Sequence, residues 1–382
     1  MDWRGKIFTQ TAEPVAVIDI GSNSIRLVVY EDEVRSPTPL LNEKILCGLG
    51  RKRTPQGGLN KAAAARALAS LRRFNKLCEQ TRVKRTYAFA TEAVRSAADG
   101  AEFIAEAERA CGCTIRVLSG REEAELAAAG ILSGFIDPDG FVGDLGGGSL
   151  ELIDLAGRQI RHEVSVPLGS LNLMETAGKD FAKAAAIVDA HLQSIPWLEN
   201  GARRPFYLIG GTWRSVARLN MMETSYPLSV THNYTMSLKQ LDALFEAVLS
   251  RNPTVKTLDR ISRDRREMLP YGLLLLKKLA TGSSRPRSFC RLSVCAKASF
   301  TTICRSASRR SILSSRPART WLQSGRDRST IAMSSSTGPT GCFKGRVLRK
   351  PRKIAACAAR PACSSMSAGA AIPTIGARRR LG

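Results

Sequence analysis

The chain has 382 residues, 43% of them apolar and 24% charged, enough for two soluble domains of ordinary size. It has no run of 18 or more apolar residues, so no membrane span is expected, and the start MDWRGKIFTQTAEPVAV has no export-signal pattern, which makes the cytoplasm the expected compartment. The net charge of +25 is unevenly spread: residues 281–382 hold 21 Lys plus Arg and one acid, Asp327, against 37 basic and 32 acidic residues before them, so overall basicity does not argue for nucleic acid as the partner of the front part.

In chain order, PVAVIDI (14–20) and IRLVVYE (25–31) read as two strands joined by the tight turn Gly21–Ser24. Residues 60–80 form an amphipathic helix with Leu68, Leu71, Phe74 and Leu77 on one face. A strand at 87–91, a helix at 99–110, a strand at 114–119 and a helix at 121–135 follow. FVGDL (141–145) and LELIDLA (150–156) then repeat the opening hairpin. Helices are expected at 170–177 and 181–194, a strand at 206–210, and helices from Thr212, at 237–250 and at 268–280. The pattern is α/β, with a duplicated strand–glycine turn–strand unit. It divides into a domain over 1–136, a second over 137–280, and a tail over 281–382 that shows neither helical nor strand periodicity.

Ten cysteines and three histidines (His162, His191, His232) show no zinc-ligand spacing, and the four cysteines of the front part, Cys47, Cys78, Cys111 and Cys113, read as reduced and inert. Neither GxxxxGK[ST] nor a strand-borne GxGxxG occurs.

Three glycine turns carry the chemistry. The first holds Asp19, Gly21, Ser22, Asn23 and Ser24. Its small residues let backbone N–H groups approach an oxyanion, and its hydroxyls and amide add donors. The second holds Asp144, Gly146, Gly147, Gly148, Ser149 and Glu151. Three glycines in a row cost entropy, and two carboxylates at one mouth suit a hard divalent cation such as Mg²⁺. The third, Gly210, Gly211 and Thr212, opens a helix, where anions are favoured.

With these turns, the strings IDIGSNSIRL (18–27), ATEAVRSAADGAEF (90–103), LSGREEAELA (118–127), GDLGGGSLEL (143–152), PLGSLNL (167–173) and IGGTWRSVARL (209–219) resemble, in order, the exopolyphosphatase and guanosine-pentaphosphate phosphatase (Ppx/GppA) family. The resemblance implies two actin-like (ribonuclease H-like) ATPase-superfamily domains flanking a cleft. It implies hydrolysis of the terminal phosphoanhydride bond of inorganic polyphosphate, with guanosine pentaphosphate as the alternative substrate. It also implies Mg²⁺ held by Asp144 and Glu151, with Asp19 opposite, and a homodimer where the fold is complete. Glu123 corresponds to the general base and Arg95 to a phosphate-binding arginine. Leu150 and Trp213 depart from the family pattern, which has Thr and a smaller apolar residue there.

The runs Arg51-Lys52-Arg53, Arg72-Arg73 and Arg203-Arg204 are candidates for a basic track toward the cleft. VCAKASFTTIC can be encoded by codons that, read one base over, give VREGLLHDDL, a string that matches the family there, so the tail is read as a frame change near 281. Two readings of another class follow from that tail: an inactive product, or a basic nucleic-acid-binding protein.

Overall fold

The computed structural model describes residues 13–33, 37–201, 204–249, 256–281 and 291–294. Two sheets carry the fold, and both lie within one compact unit. In the first, β1 (Val15–Ile20), β2 (Ser24–Tyr30), β3 (Pro39–Leu46), β4 (Arg85–Ala90) and β5 (Ile115–Val117) are ordered β3-β2-β1-β4-β5. In the second, β6 (Gly140–Leu145), β7 (Leu150–Ala156), β8 (Gln159–Val166), β9 (Pro205–Gly210), β10 (Tyr234–Met236) and β11 (Arg291–Val294) are ordered β10-β11-β9-β6-β7-β8.

Strands β8-β7-β6-β9-β11 repeat the order of β3-β2-β1-β4-β5. Each has an antiparallel meander of three strands followed by two strands joined in parallel. The duplication read from two hairpins therefore extends to the whole sheet, and the fold is the actin-like α/β architecture. It also corrects the end of the second domain. Strand β11 lies in the segment expected to lack regular elements, and it pairs in parallel with β9 as Leu292↔Phe206 and Val294↔Leu208. Leu292 and Val294 are fully buried, so four residues of alternating pattern suffice once a prepared sheet edge supplies the hydrogen bonds. The remaining tail residues, 282–290 and 295–382, lie outside the described residues, and with them all but Val294 of the peptide on which the frame-change reading rests.

Period-2 alternation sends the two faces of each sheet to different layers. On the first sheet, Ala16, Ile18 and Ile20 pack with Leu71, Phe74 and Phe103 of helices α1 (Lys61–Gln80) and α3 (Gly100–Cys111). The opposite face, with Val17, Val28 and Phe89, meets Leu126 of α4 (Gly120–Gly134). That same helix sends Ala124, Ala127, Ala128 and Ile131 to Val142, Ile153 and Ile209 of the second sheet. Helix α4 thus lies between the two sheets, and most of its buried face belongs to the second. The packing boundary falls before it rather than at residue 136.

The outer face of the second sheet is covered by α5 (Ser170–Ala177), α6 (Phe181–Gln193), α7 (Gly211–Glu223), α8 (Leu238–Leu249) and α9 (Arg263–Thr281). A short helix, α2 (Glu92–Arg95), follows β4. No described helix is long and apolar enough to cross a membrane.

Both departures from the family pattern are core residues. Leu150 and Trp213 are fully buried in the outer layer of the second sheet. The Trp213 ring packs edge-on against Phe206, centroids 6.0 Å apart, and its Nε1 donates to the Gly272 carbonyl at 3.0 Å. Gly143 makes room for it: a Cβ there would lie 2.8 Å from the indole. Trp213→Ala should therefore cost about 3–5 kcal/mol, read as a lower urea midpoint with an unchanged slope.

Candidate active site

The two hairpin turns are built alike. Gly21 donates its amide to the Ser24 carbonyl at 3.1 Å, and Gly146 donates to Ser149 at 3.0 Å. Register then fixes what stands beside each turn. Asp19 lies opposite Arg26, and Arg26 opposite Lys44. Asp144 lies opposite Glu151, and Glu151 opposite Ser165. Equivalent positions of the duplicated hairpin thus carry Arg26 in one sheet and Glu151 in the other.

The turns face one another at contact distance. A Cβ placed on Gly147 would lie 3.0 Å from that of Ser22, and one on Gly148 would lie 1.7 Å from the Glu92 carboxylate. Glu92 accepts from Arg53 Nη2 at 3.3 Å and from Ser22 Oγ at 3.5 Å. The start of α5 holds the second turn from behind. The amides of Gly169, Ser170 and Leu171 donate to the carbonyls of Gly148, Gly146 and Gly147 at 3.2, 3.2 and 2.9 Å. Its Ser170 hydroxyl meets Thr212 Oγ1 of the third turn at 3.0 Å. Gly169 is required there, because a Cβ would lie 2.3 Å from the Gly147 carbonyl atoms. Gly169→Ala should displace the turn and lower the rate of any phosphoryl chemistry by about 10²-fold, the cost of a misplacement near 1 Å. Phosphate release, measured beside an unfolding curve to separate site from fold, checks this.

Asp19, Gly21, Ser22, Asn23, Ser24, Glu123, Asp144, Gly146, Gly147, Gly148, Ser149, Glu151, Gly210, Gly211 and Thr212 all line one cleft. Arg95 is not in its wall. It donates through Nη1 to both the Leu118 carbonyl and Glu123 Oε1, so it grips the candidate base from beside the cleft.

The neighbouring glutamates divide their work through the helix cap. Ser119 caps α4, its hydroxyl accepting from the Glu122 amide at 3.3 Å, while Glu122 Oε2 accepts from the Ser119 amide at 2.9 Å. Burial alone would push Glu122 up, but Ser119 and Arg116 outweigh it and hold the carboxyl below its ordinary range. With Glu122 spent on the cap, Glu123 is the one that turns to the cleft.

Glu151 is 3% exposed and accepts from Ser165 Oγ at 2.9 Å. Burial first, then Glu123 and Asp144, push its carboxyl up to about 8. Crowded carboxylates of this kind are relieved by a hard cation, so the residues present fit Mg²⁺. No three Asp, Glu, Cys or His side chains among the described residues are placed together to hold a metal ion. Asp19, between Arg26 and Phe89 in register, does not share that setting.

Sequence reasoning missed the cations of the cleft. Arg26 from β2, Lys44 from β3, Arg214 from α7 and Arg265 from α9 all line it. Lost hydration, then Arg265, Arg214 and Arg26, pull the Lys44 ammonium down to about 8, with Asp19 opposing. Burial, then Arg265 and Arg26, pull the Arg214 guanidinium down as well. None of the described residues of the proposed basic runs lines the cleft. Arg51 pairs with Glu267, Arg53 with Glu92, Arg73 with Glu43, and Arg204 with Asp139 and Asp154. Arg203 lies outside the described residues. Arg26 and Arg214 stand inside the strings IDIGSNSIRL and IGGTWRSVARL, so position beside a glycine turn was the available signal.

A family model of the Ppx/GppA phosphatase family matches residues 27–282. The chain belongs to the Ppx/GppA phosphatase family. Among solved structures, an exopolyphosphatase from Cytophaga hutchinsonii superposes with a TM-score of 0.67 at 21% identity, over 77% of this chain and 97% of that one. A Ppx/GppA family member from Aquifex aeolicus gives 0.62 at 23% identity, over 78% and 98%. An exopolyphosphatase-like protein gives 0.66 at 22%, over 79% and 100%. These likenesses establish the Ppx/GppA fold for the two sheets and their helices.

Proposed function

We propose that the cleft hydrolyses the terminal phosphoanhydride bond of inorganic polyphosphate and releases orthophosphate. The observation that carries this reading is the meeting of four cations, Arg26, Lys44, Arg214 and Arg265, with two glycine turns and the Glu123 carboxylate in one cleft. A linear polyanion places one charge on each phosphate, and a row of cations from separate elements matches it. None of the described residues lining the cleft is aromatic, so its wall offers no aromatic ring for a guanine base to stack on. That favours polyphosphate over guanosine pentaphosphate.

The terminal phosphoryl group sits between the turns, where Ser22, Asn23, Ser24 and Ser149 offer hydroxyl and amide donors beside the backbone N–H groups. The next phosphates lie along Arg26, Arg214, Arg265 and Lys44. Glu123 takes the proton of the attacking water, and Arg95 fixes the direction of that carboxylate. Asp144 and Glu151 would hold Mg²⁺, which when bound neutralises charge growing on the leaving phosphate. The shortened chain then leaves along Arg26, Arg214, Arg265 and Lys44.

The test compares orthophosphate release from long-chain polyphosphate and from guanosine pentaphosphate, both with Mg²⁺. A higher kcat/KM on polyphosphate is expected. A preference for the nucleotide overturns the substrate assignment, and no release from either by folded protein overturns the hydrolase reading.

A further inference from the structure

Away from the cleft, the end of α3 brings together two thiols that are far from inert in their geometry. Gly112 caps the helix in the left-handed region, at φ 69°, and donates to the Glu108 carbonyl at 2.9 Å. Only glycine takes that conformation without cost. Here it curls the chain so that the side chains of Cys111 and Cys113 meet, with Sγ atoms 3.3 Å apart. Cys111 Sγ also lies 3.2 Å from the Cys113 carbonyl. Cys111 is buried and Cys113 is half-buried at the edge of the first sheet's core, so Cys113 is the more accessible residue of the two. Asn75 closes over Gly112, and Glu108 Oε1 accepts from the Ile115 amide at 2.8 Å, which holds the turn in place.

We infer that Cys111 and Cys113 form a redox-active dithiol, a modification site that closes to an intramolecular disulfide by exchange with low-molecular-weight disulfides such as glutathione disulfide. The Cys113 thiol donates to Cys111 and pulls that group down to about 7, while Cys113 itself is pushed up. The two sulfurs thus share one proton, and a thiolate is present near neutral pH. The other described thiols differ: burial pushes Cys47 up and pushes Cys78 up to about 11.

The exchange balances without a further reagent. The proton passes from Cys113 to Cys111, whose Sγ can donate it to the Cys113 carbonyl at 3.2 Å, and the Cys113 thiolate so formed attacks one sulfur of glutathione disulfide, the other leaving as glutathione thiolate. The Cys111 sulfur then attacks Cys113 Sγ of the mixed disulfide. The second glutathione leaves and takes up the Cys111 proton. The dithiol loses two electrons, and one glutathione disulfide becomes two glutathione molecules.

The full-length chain in excess glutathione disulfide, quenched in acid and mapped by peptide mass, tests this. The expected product is a Cys111–Cys113 disulfide, with Cys47 and Cys78 still alkylated. Cys78→Ser should leave it unchanged. Cys111→Ser should trap glutathione on Cys113, and Cys113→Ser should leave Cys111 unmodified. Should Cys111→Ser fail to fold, the wild-type map and the Cys113→Ser variant decide alone. Linkage of either sulfur to Cys78 or to a tail cysteine overturns the inference, as does a pair that stays reduced.

Discussion

Glu123→Gln is expected to lower phosphate release from polyphosphate by about 10²–10⁴-fold, the usual worth of a positioned general base. The amide keeps the size of the carboxylate and can still accept from Arg95, so α4 and the cleft should stand unchanged. Only the capacity to take a proton from water is lost. KM should hold, because the groups that bind the chain are untouched, and the loss should fall on kcat. Glu122→Gln is the matched control. That side chain is committed to the Ser119 cap and Arg116, so its loss should cost up to ~1 kcal/mol of stability and little rate. Near-normal turnover of Glu123→Gln, or an equal loss in Glu122→Gln, would remove Glu123 from the mechanism.

The double variant Arg214→Met with Arg265→Met is expected to raise KM for polyphosphate by about 10²–10⁴-fold, since each charge-assisted contact is worth about 1.5–3 kcal/mol and each 1.4 kcal/mol is tenfold. Both guanidiniums are half-buried in the cleft wall. Both are held below their ordinary pKa range, by burial first and then by neighbouring arginines. A bound polyanion relieves that repulsion, so the positive charge is more favourable with substrate than without. Methionine keeps an apolar stem of similar length and removes the charge. Arg73→Met, whose partner is Glu43 on the outer side of β3, should leave KM alone. Lys44 adds a pH signature. Its ammonium is lowered to about 8 in the empty cleft, and the charged form is the one that binds phosphate. Affinity should therefore be full below pH ~8 and fall as the pH rises above it. A KM indifferent to both arginines would move the polyphosphate path elsewhere.

How much was legible varies with the kind of element. Strands β1, β2, β6, β7 and β9 were readable because they are buried on both faces and read as apolar runs. Strands β3 and β8 were not. PLLNEKIL and QIRHEVSV lie at the outer side of each meander with exposed and half-buried residues along their length, and such mixed segments resemble loops. YTM and RLSV are too short to show a period. Helix α4 was read as a helix and assigned with the first domain, whereas its buried alanines pack on the second sheet. Alanine at 124, 127 and 128 packs as well against one sheet as another, and sequence order favoured the first.

The sequence by itself determined the glycine turns, their paired acids and the Glu122–Glu123 step, because these depend on backbone chemistry and local spacing. A turn that must let amides approach an anion needs small residues wherever the chain goes. Tertiary structure alone decided which cations serve the cleft, that Arg95 grips Glu123 instead of lining the wall, and that the second sheet continues to Val294. An arginine side chain looks the same in sequence whether it faces water or a substrate. Only the register of β1, β2 and β3, and the packing of α7 and α9 behind the third turn, bring four distant charges into one field.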